Sequence, residues 1–167
     1  MRLRKKPWIE EAMKDVMDEY VFMHDIEKFK GHWQELFPGK KLCLEIGCGK
    51  GRFAIGMAEQ HPDVNFIAVE REEGALIMAA ERCEEDPLPN LRFVSFDAAE
   101  LREVFAPAEV DRIYLNFSDP WPKARHARRR LTSNEFFKLY DQVLTTDGTV
   151  EFKTDNRPLF DFSVEEL

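Results

Sequence analysis

The chain has 167 residues, 44% of them hydrophobic and 34% charged, which is typical of one globular domain with a full core. Its net charge of −8 argues against a protein that binds nucleic acid over its whole surface. No apolar run approaches the roughly 20 residues of a membrane span, the basic first residues lack the apolar segment of a signal peptide, and three cysteines without C-x-x-C spacing predict the reduced thiols of a cytoplasmic protein.

Residues 1–40 predict a basic and helical preamble to the main domain. Its basic cluster consists of Arg2, Arg4, Lys5 and Lys6. Apolar residues at helical spacing over 8–17 predict an amphipathic helix, and Trp33, which lies in a second apolar group, is expected in the core. We therefore divide the chain into this preamble and a domain covering 41–167.

A glycine-rich turn follows the first predicted strand. Residues 42–46 form a short apolar run broken only by Glu45, which predicts a buried strand of a parallel sheet. The glycines after it stand at alternate positions, Gly47, Gly49 and Gly51. Glycine permits a tight turn and a close approach of backbone to ligand, and a helical pattern begins directly after it. This strand, turn and helix predict the mononucleotide-binding entry of a doubly wound α/β fold, a turn without a ligand being the alternative.

The glycine spacing distinguishes two cofactor classes. The dinucleotide fingerprint G-x-G-x-x-G would place a glycine at position 52, where this chain has Arg52. The pattern here is E-x-G-x-G-x-G, which resembles the first motif of class I S-adenosylmethionine-dependent methyltransferases. A carboxylate at Glu45 suits a ligand that carries an amino group and a sulfonium instead of a pyrophosphate.

Two further predicted strands end beside an acidic residue. The second strand, 64–70, ends at Glu70, about 20 residues past the turn, where folds of this type bind ribose hydroxyls. The third strand, 91–96, is followed by Asp97 and Ala98. Two roles are open for Asp97: it binds the exocyclic amino group of an adenine, or it caps the helix that follows.

The fourth predicted strand leads into N-F-S-D-P-W-P-K at residues 116–123. Because proline restrains the residue before it, we expect Asp119 and Trp121 in extended geometry. Ligands of open α/β sheets bind at this edge, so the loop predicts a cradle for a flat heterocycle, with Trp121 either stacking on it or only packing. A second basic cluster follows and comprises Lys123, Arg125, His126, Arg128, Arg129 and Arg130. Two dense basic clusters on an acidic protein indicate a polyanion bound to one face, with a solvated surface as the alternative.

The remaining segments continue the alternation of helix and strand. A helix is predicted up to Val143 with a cap at 147–148, then a fifth strand over 149–153, and then a helix that begins at Pro158. The T-D-N at 154–156 falls at the carboxyl end of the fifth strand, on the same edge as the other candidate residues.

These stretches together resemble a known family. The octapeptide, R-H at 125–126, R-R-L at 129–131, F-K-T-D-N at 152–156 and the opening R-x-R-K-K-P-W are similar to the bacterial tRNA (guanine-N7-)-methyltransferases. The resemblance implies an α/β, Rossmann-like class I methyltransferase fold with a doubly wound, mainly parallel sheet. It also implies methyl transfer from S-adenosylmethionine to N7 of the guanosine at position 46 of the tRNA variable loop.

The resemblance assigns roles to residues by matching position. Asp119 is expected to be the catalytic residue. The cofactor is expected to contact Glu45, Gly47, Gly49, Gly51, Glu70, Asp97, Ala98, Asn116 and Asp119. The RNA substrate is expected to contact Lys123, Arg125, His126, Arg129, Arg130 and Asp155. No metal is expected, and the choice between monomer and homodimer is left open.

The family's fold continues past the point where this chain ends. We therefore expect the C-terminal part to be missing, including two final strands and a T-x-x-E substrate motif. The alternatives are an S-adenosylmethionine-dependent N-methyltransferase acting on a small molecule or protein, a nicotinamide-dependent oxidoreductase, and a non-catalytic cofactor-binding fragment.

Overall fold

The computed structural model describes residues 19–167, so the predicted helix over 8–17 and the first basic cluster lie outside the described part. One six-stranded sheet organises this part. Its strands are β1 Val21–Phe22, β2 Lys41–Ile46, β3 Val64–Val69, β4 Leu91–Val94, β5 Val110–Asn116 and β6 Leu144–Lys153. No helix within residues 19–167 is long and apolar enough to cross a bilayer.

All the strands pair in parallel, in the order β1-β4-β3-β2-β5-β6. The chain moves outward from β2 through β3 to β4 and then returns to the other side of β2 as β5. The direction of winding therefore reverses between β2 and β5, which is where sheets of this kind bind their ligands. The predicted doubly wound, parallel α/β fold is confirmed.

Residues 19–167 contain five α-helices, four of them between consecutive strands and one after β6. They are α1 Arg52–Gln60, α2 Glu73–Glu81, α3 Leu101–Val104, α4 Asn134–Val143 and α5 Arg157–Glu166. Side-chain caps explain where two of them begin. The Ser133 hydroxyl accepts from the Phe136 N–H at the start of α4, and the Asn156 side chain accepts from the Leu159 N–H at the start of α5.

Successive side chains of a strand point to opposite faces of the sheet, and here each face is covered by a hydrophobic core. Leu42 and Leu44 of β2 belong to one core together with Tyr140 of α4, whereas Cys43 belongs to the other together with Ala54 of α1. Two-sided burial explains why the central strands are nearly continuous apolar runs. The one acidic residue in β2, Glu45, is consequently forced into the interior at 5% exposure.

Two local predictions are wrong. The described end of the preamble is not helical throughout, because Val21–Phe22 pairs with β4 as an added strand. Trp33 does lie in the core, as expected, and its Nε1 donates to Val104 O at 2.8 Å. Residues 147–148 do not cap α4, because β6 starts directly after α4 and those residues fall in an irregular stretch of β6 where the pairing register with β5 shifts. A Cβ on Gly148 would lie 2.9 Å from the Leu144 Cβ, so the glycine permits close packing there.

Candidate active site

A cleft of about 560 Å³ opens where the carboxyl ends of the central strands meet, at the reversal of winding between β2 and β5. Its volume lies within the range of small-ligand pockets in proteins. Six of the residues predicted for the site line it: Gly47, Glu70, Asp97, Ala98, Asp119 and Arg129. Side chains from four separate loops therefore share one cavity.

Glu45 lies one residue before the cleft wall and is a carboxylate held in an apolar interior. One of its oxygens, Oε2, accepts from Asn116 Nδ2 at 2.9 Å, whereas Oε1 is buried with no hydrogen-bond partner among the described residues. Burial is the main cause that raises the pKa of Glu45 to about 7; the Asn116 amide and the Ala54 backbone N–H oppose the rise, and the nearby Glu70 carboxylate adds to it. An unsatisfied buried oxygen of this kind indicates that a donor is absent from its place.

The glycines of this turn have two different structural roles. Gly47 and Gly49 both have positive φ, at 80° and 54°, and an added Cβ on either would meet nothing within 4 Å. Their backbone therefore borders open space in which a ligand can approach. Gly51 also has positive φ, but a Cβ there would lie 2.8 Å from the Ala79 Cβ, so this glycine allows α1 and α2 to pack closely. The structure thus gives Gly51 a packing role beside the cofactor contact predicted for it.

Acidic groups accumulate along the cleft. Burial raises the pKa of Glu70, and the Glu72 and Asp119 carboxylates add to the rise while the Arg71 guanidinium and backbone N–H oppose it. Glu70 in turn raises the pKa of Glu45, so Glu70 interacts with both Glu45 and Asp119. Mutual repulsion of this kind is relieved by a bound cation, which makes the cleft suited to a positively charged ligand.

Asp97 takes the capping role at the end of β4. Its Oδ1 accepts from the Ala99 N–H at 2.9 Å, which begins the 3₁₀ turn Ala98–Glu100 and leads into α3. The same side chain lines the cleft and keeps its second oxygen, Oδ2, without a hydrogen bond described for it. The two roles weighed from the sequence are therefore geometrically compatible.

The loop after β5 carries backbone strain on both sides of Asp119. Phe117 and Trp121 have φ values of 53° and 42°, in the left-handed region that bulky residues rarely adopt. The predicted extended geometry of Trp121 is wrong. Proline disfavours the right-handed helical region for the preceding residue, and at Trp121 the chain turns to the left-handed side instead. Strain held in place by surrounding contacts is a common feature of ligand-binding loops.

Contacts on three sides hold Trp121 in that conformation. The Arg129 guanidinium lies over its ring at 5.1 Å from the centroid, and the His126 ring meets it edge-on at 5.5 Å. Arg130 donates from Nε and Nη2 to Trp121 O at 3.1 and 2.9 Å, and from Nε to Pro120 O at 3.0 Å. Its guanidinium also lies over the Phe162 ring of α5 at 4.4 Å. Arg130, predicted to contact substrate, is therefore engaged inside the protein as a clamp on the loop.

The other predicted substrate residues surround the cleft without lining it. Lys123 and Arg125 are exposed beside and within the 3₁₀ helix Ala124–Arg129, and Asp155 is exposed after β6. His126 is half-buried against Trp121. Asn116, predicted to contact cofactor, instead orients Glu45 through its amide. Positive charge is thus placed along one rim of an acidic cleft.

Several residues that line the cleft were not predicted as site residues from the sequence, among them Arg71, Phe117, Ser118 and Arg128. Phe117 and Ser118 lie between Asn116 and Asp119 and line the cleft, and the Ser118 hydroxyl is buried without a partner among the described residues. Arg128 also lines it while pairing with Glu135 at 3.5 Å. The sequence contained one indication of a role for Phe117: it is an apolar residue at the end of a strand, where polar residues are expected.

Comparisons with known proteins agree with this architecture. A family described as "Putative methyltransferase" matches residues 39–167. The chain is 51% identical over 168 aligned residues to a tRNA (guanine-N(7)-)-methyltransferase of Lachnoclostridium phytofermentans, and 48% identical over 168 to one of an Exiguobacterium species. Both alignments cover 100% of this chain and 77% of the relative.

A solved structure resembles the fold at low sequence identity. It is a putative S-adenosyl-L-methionine-dependent methyltransferase of Methanococcus maripaludis, 17% identical, with a TM-score of 0.55. The similarity covers 99% of this chain and 74% of that one. At this identity the similarity concerns the fold alone.

Proposed function

Because this chain belongs to the bacterial tRNA (guanine-N(7)-)-methyltransferase family, we propose that it transfers a methyl group from S-adenosylmethionine to N7 of a guanine in tRNA. The target implied by the sequence resemblance is the guanosine at position 46 of the variable loop. The observation that carries the proposal is a cleft lined by the carboxylates of Glu70, Asp97 and Asp119, which suit a cationic methyl donor, and by Arg71, Arg128 and Arg129, which suit the phosphates of RNA.

The acidic side of the cleft fits the cofactor. S-adenosylmethionine supplies a methyl group activated by a sulfonium, together with an amino group and a ribose. Glu45 Oε1 is a buried acceptor without a donor among the described residues, and the backbone of Gly47 and Gly49 borders open space. Glu70 stands at the end of β3, where an acid binds ribose hydroxyls in folds of this class, and Asp97 stands at the end of β4. These residues would hold the cofactor.

We assign Asp119 to the contact with the guanine that accepts the methyl group. Guanine N7 carries a lone pair and no proton, so methyl transfer needs no general base, and the main task of the protein is to align donor and acceptor. Alignment of this kind supplies up to ~7–11 kcal/mol in favourable cases. The methylated guanine is a cation, and a carboxylate at Asp119, on the cleft wall, stabilises the positive charge as it develops.

The basic rim is assigned to the RNA backbone. Arg125 and Arg128 are exposed on the 3₁₀ helix directly after the strained loop, with Lys123 at its start. N7 lies on the Hoogsteen edge of guanine, which is reachable without breaking Watson–Crick pairs. Phosphate contacts along this rim would orient the RNA while the base enters the cleft. This arrangement supports a polyanionic substrate on one face of an otherwise acidic protein.

The direct test is an incubation with methyl-labelled S-adenosylmethionine and unmodified tRNA, followed by mapping of 7-methylguanosine. Label at a single guanosine of the variable loop is expected. Methylation of small amines or peptides with none on tRNA would refute the substrate assignment. Asp119→Asn is expected to lower kcat with tRNA, and an unchanged kcat would remove the role given to that carboxylate.

A further inference from the structure

One large aromatic side chain is exposed at the mouth of the cleft. Phe117 is 59% exposed and lines the cavity. Among the described residues the other exposed large hydrophobic side chains are Met78, Phe160, Val164 and Leu167, none of which lines it. Single exposed hydrophobic side chains are common on protein surfaces, and what distinguishes Phe117 is that it lines the cleft together with Asp119.

The backbone presents Phe117 as a fixed surface. Its φ of 53° lies in the left-handed region, and its N–H donates to Lys153 O at 2.8 Å, which ties it to the end of β6. The residue before it, Asn116, is anchored through its side chain to Glu45 at 2.9 Å. The backbone that carries the ring is therefore restrained by contacts with β2 and β6. Asp119 follows the ring two residues later in the chain.

The neighbouring aromatic residue is already occupied. Trp121 has the Arg129 guanidinium over its ring and the His126 ring against its edge, and its carbonyl accepts twice from Arg130. A base that stacked on the face of Trp121 covered by Arg129 would have to displace that cation. Among residues 19–167, the one cation placed over the Phe117 ring is the distant Lys153 ammonium, 6.0 Å from the centroid.

We infer that Phe117 is the platform on which the target guanine stacks while its N7 is presented beside Asp119. The inference rests on the proposed function. Every nucleobase has a π-face that an aromatic ring can hold, and the guanine becomes cationic as the methyl arrives, which an aromatic face also favours.

The test compares Phe117→Ala, Phe117→Leu and Phe117→Tyr with the wild type, in steady-state methylation of unmodified tRNA at saturating cofactor. Phe160→Ala is the matched control, since Phe160 is an exposed phenylalanine on α5, away from the cleft lining. Stacking on one aromatic residue corresponds to a loss of about ten- to a hundredfold in kcat/KM for tRNA when it is removed. Alanine and leucine should both show that loss, tyrosine should restore most of the activity, and the control should match the wild type.

Cofactor binding, measured by calorimetry on each variant, separates the two possible ligands of the ring. An unchanged Kd for S-adenosylmethionine in Phe117→Ala, together with the loss on tRNA, supports the inference. A Kd that weakens in proportion to the loss would show that the ring holds the cofactor and would overturn it.

Two further results would also overturn the inference. One is full activity of Phe117→Leu, because an apolar contact would then suffice without stacking. The other is full activity of Phe117→Ala on tRNA. Both differ from failure of the proposed function, in which the wild-type chain itself leaves tRNA unmethylated. Leucine and tyrosine preserve most of the side-chain volume, so they keep the test decisive if the alanine variant folds poorly.

Discussion

Replacing Glu45 with glutamine should stabilise the free protein at alkaline pH and at the same time weaken cofactor binding. Burial is the first cause that raises the pKa of this carboxyl from its ordinary 4.5 to about 7. The folded protein therefore prefers the protonated form. The stability that this preference contributes is fully present below about pH 4.5 and is lost as the pH rises through about 7.

The difference between those two pKa values corresponds to about 3 kcal/mol. At pH 8 the wild-type protein carries a buried charge with one unsatisfied oxygen, and Glu45→Gln removes the charge while keeping the shape. We expect the variant to be more stable by up to about 3 kcal/mol at pH 8, or about 6–12 °C in Tm for a chain of this size. At pH 5 the wild-type side chain is neutral in the folded protein but largely ionised in the unfolded chain, so the advantage of the variant should shrink to about 1 kcal/mol.

Urea unfolding at pH 5 and pH 8 measures this difference, with Glu72→Gln as a control because Glu72 is an exposed carboxylate near the same cleft. The control should show no comparable dependence on pH. A variant that is equally or less stable than the wild type at pH 8 would refute the reasoning, as would a gain of the same size at both pH values.

The same carboxylate should make cofactor affinity depend on pH. If the ionised form of Glu45 binds the cation, the Kd for S-adenosylmethionine should be about tenfold weaker at pH 6 than at pH 8, because most of the carboxyl is protonated at the lower pH. Glu70 and Asp119 face the same cleft, and the raised pKa of Glu70 would add to the trend. Calorimetry on Glu45→Gln should show weaker binding of the cofactor and a Kd that changes less with pH. The same Kd values as the wild type at both pH values would exclude Glu45 as a ligand.

Three further changes probe the loop, the turn and the rim. Arg130→Lys should lower kcat on tRNA roughly tenfold or more with the Kd for cofactor retained, because an ammonium lacks the guanidinium fork that holds the strained loop, and an unchanged kcat would contradict this. Gly51→Ala should lower the free energy of unfolding by about 2–4 kcal/mol, since a Cβ there meets α2 at 2.8 Å and φ is positive, and a stability equal to the wild type in urea would be against it. Neutralising Arg125 and Arg128 together should lower the salt dependence of tRNA affinity by about two counterions, whereas neutralising the exposed Arg82, which follows α2 at the opposite edge of the sheet, should leave it unaltered. A slope that stays the same in the double variant would remove the rim from the RNA interface.

The local patterns of the chain determined the fold class and the position of the cleft. Short apolar runs, glycines and prolines are properties of neighbouring residues, and each correctly predicted strand in the series from β2 to β5 follows from them. The acids that end β3 and β4 reach a common edge because parallel strands all end on the same side. Their convergence at one cleft was therefore predictable before the contacts were known.

Local patterns failed where pairing between distant segments decided the outcome. Val21–Phe22 is too short to show any periodicity and becomes a strand only because β4 offers it an edge. The stretch over 147–148 has the composition of a helix cap, but pairing with β5 draws it into β6. In both places tertiary hydrogen bonds outweighed what the residues favour on their own.

By itself the sequence determined the sheet, the glycine turn, the acidic edge and the family. Only the tertiary structure decided how the side chains divide the work: Asn116 orients Glu45 across 71 positions of the chain, Arg130 turns inward as a clamp, and Trp121 is occupied while Phe117 stays open to the cleft. Residue type and spacing specify which groups arrive at an edge. Which of them remain free depends on contacts between segments that no local pattern records, because those contacts exist only after the sheet has brought the segments together.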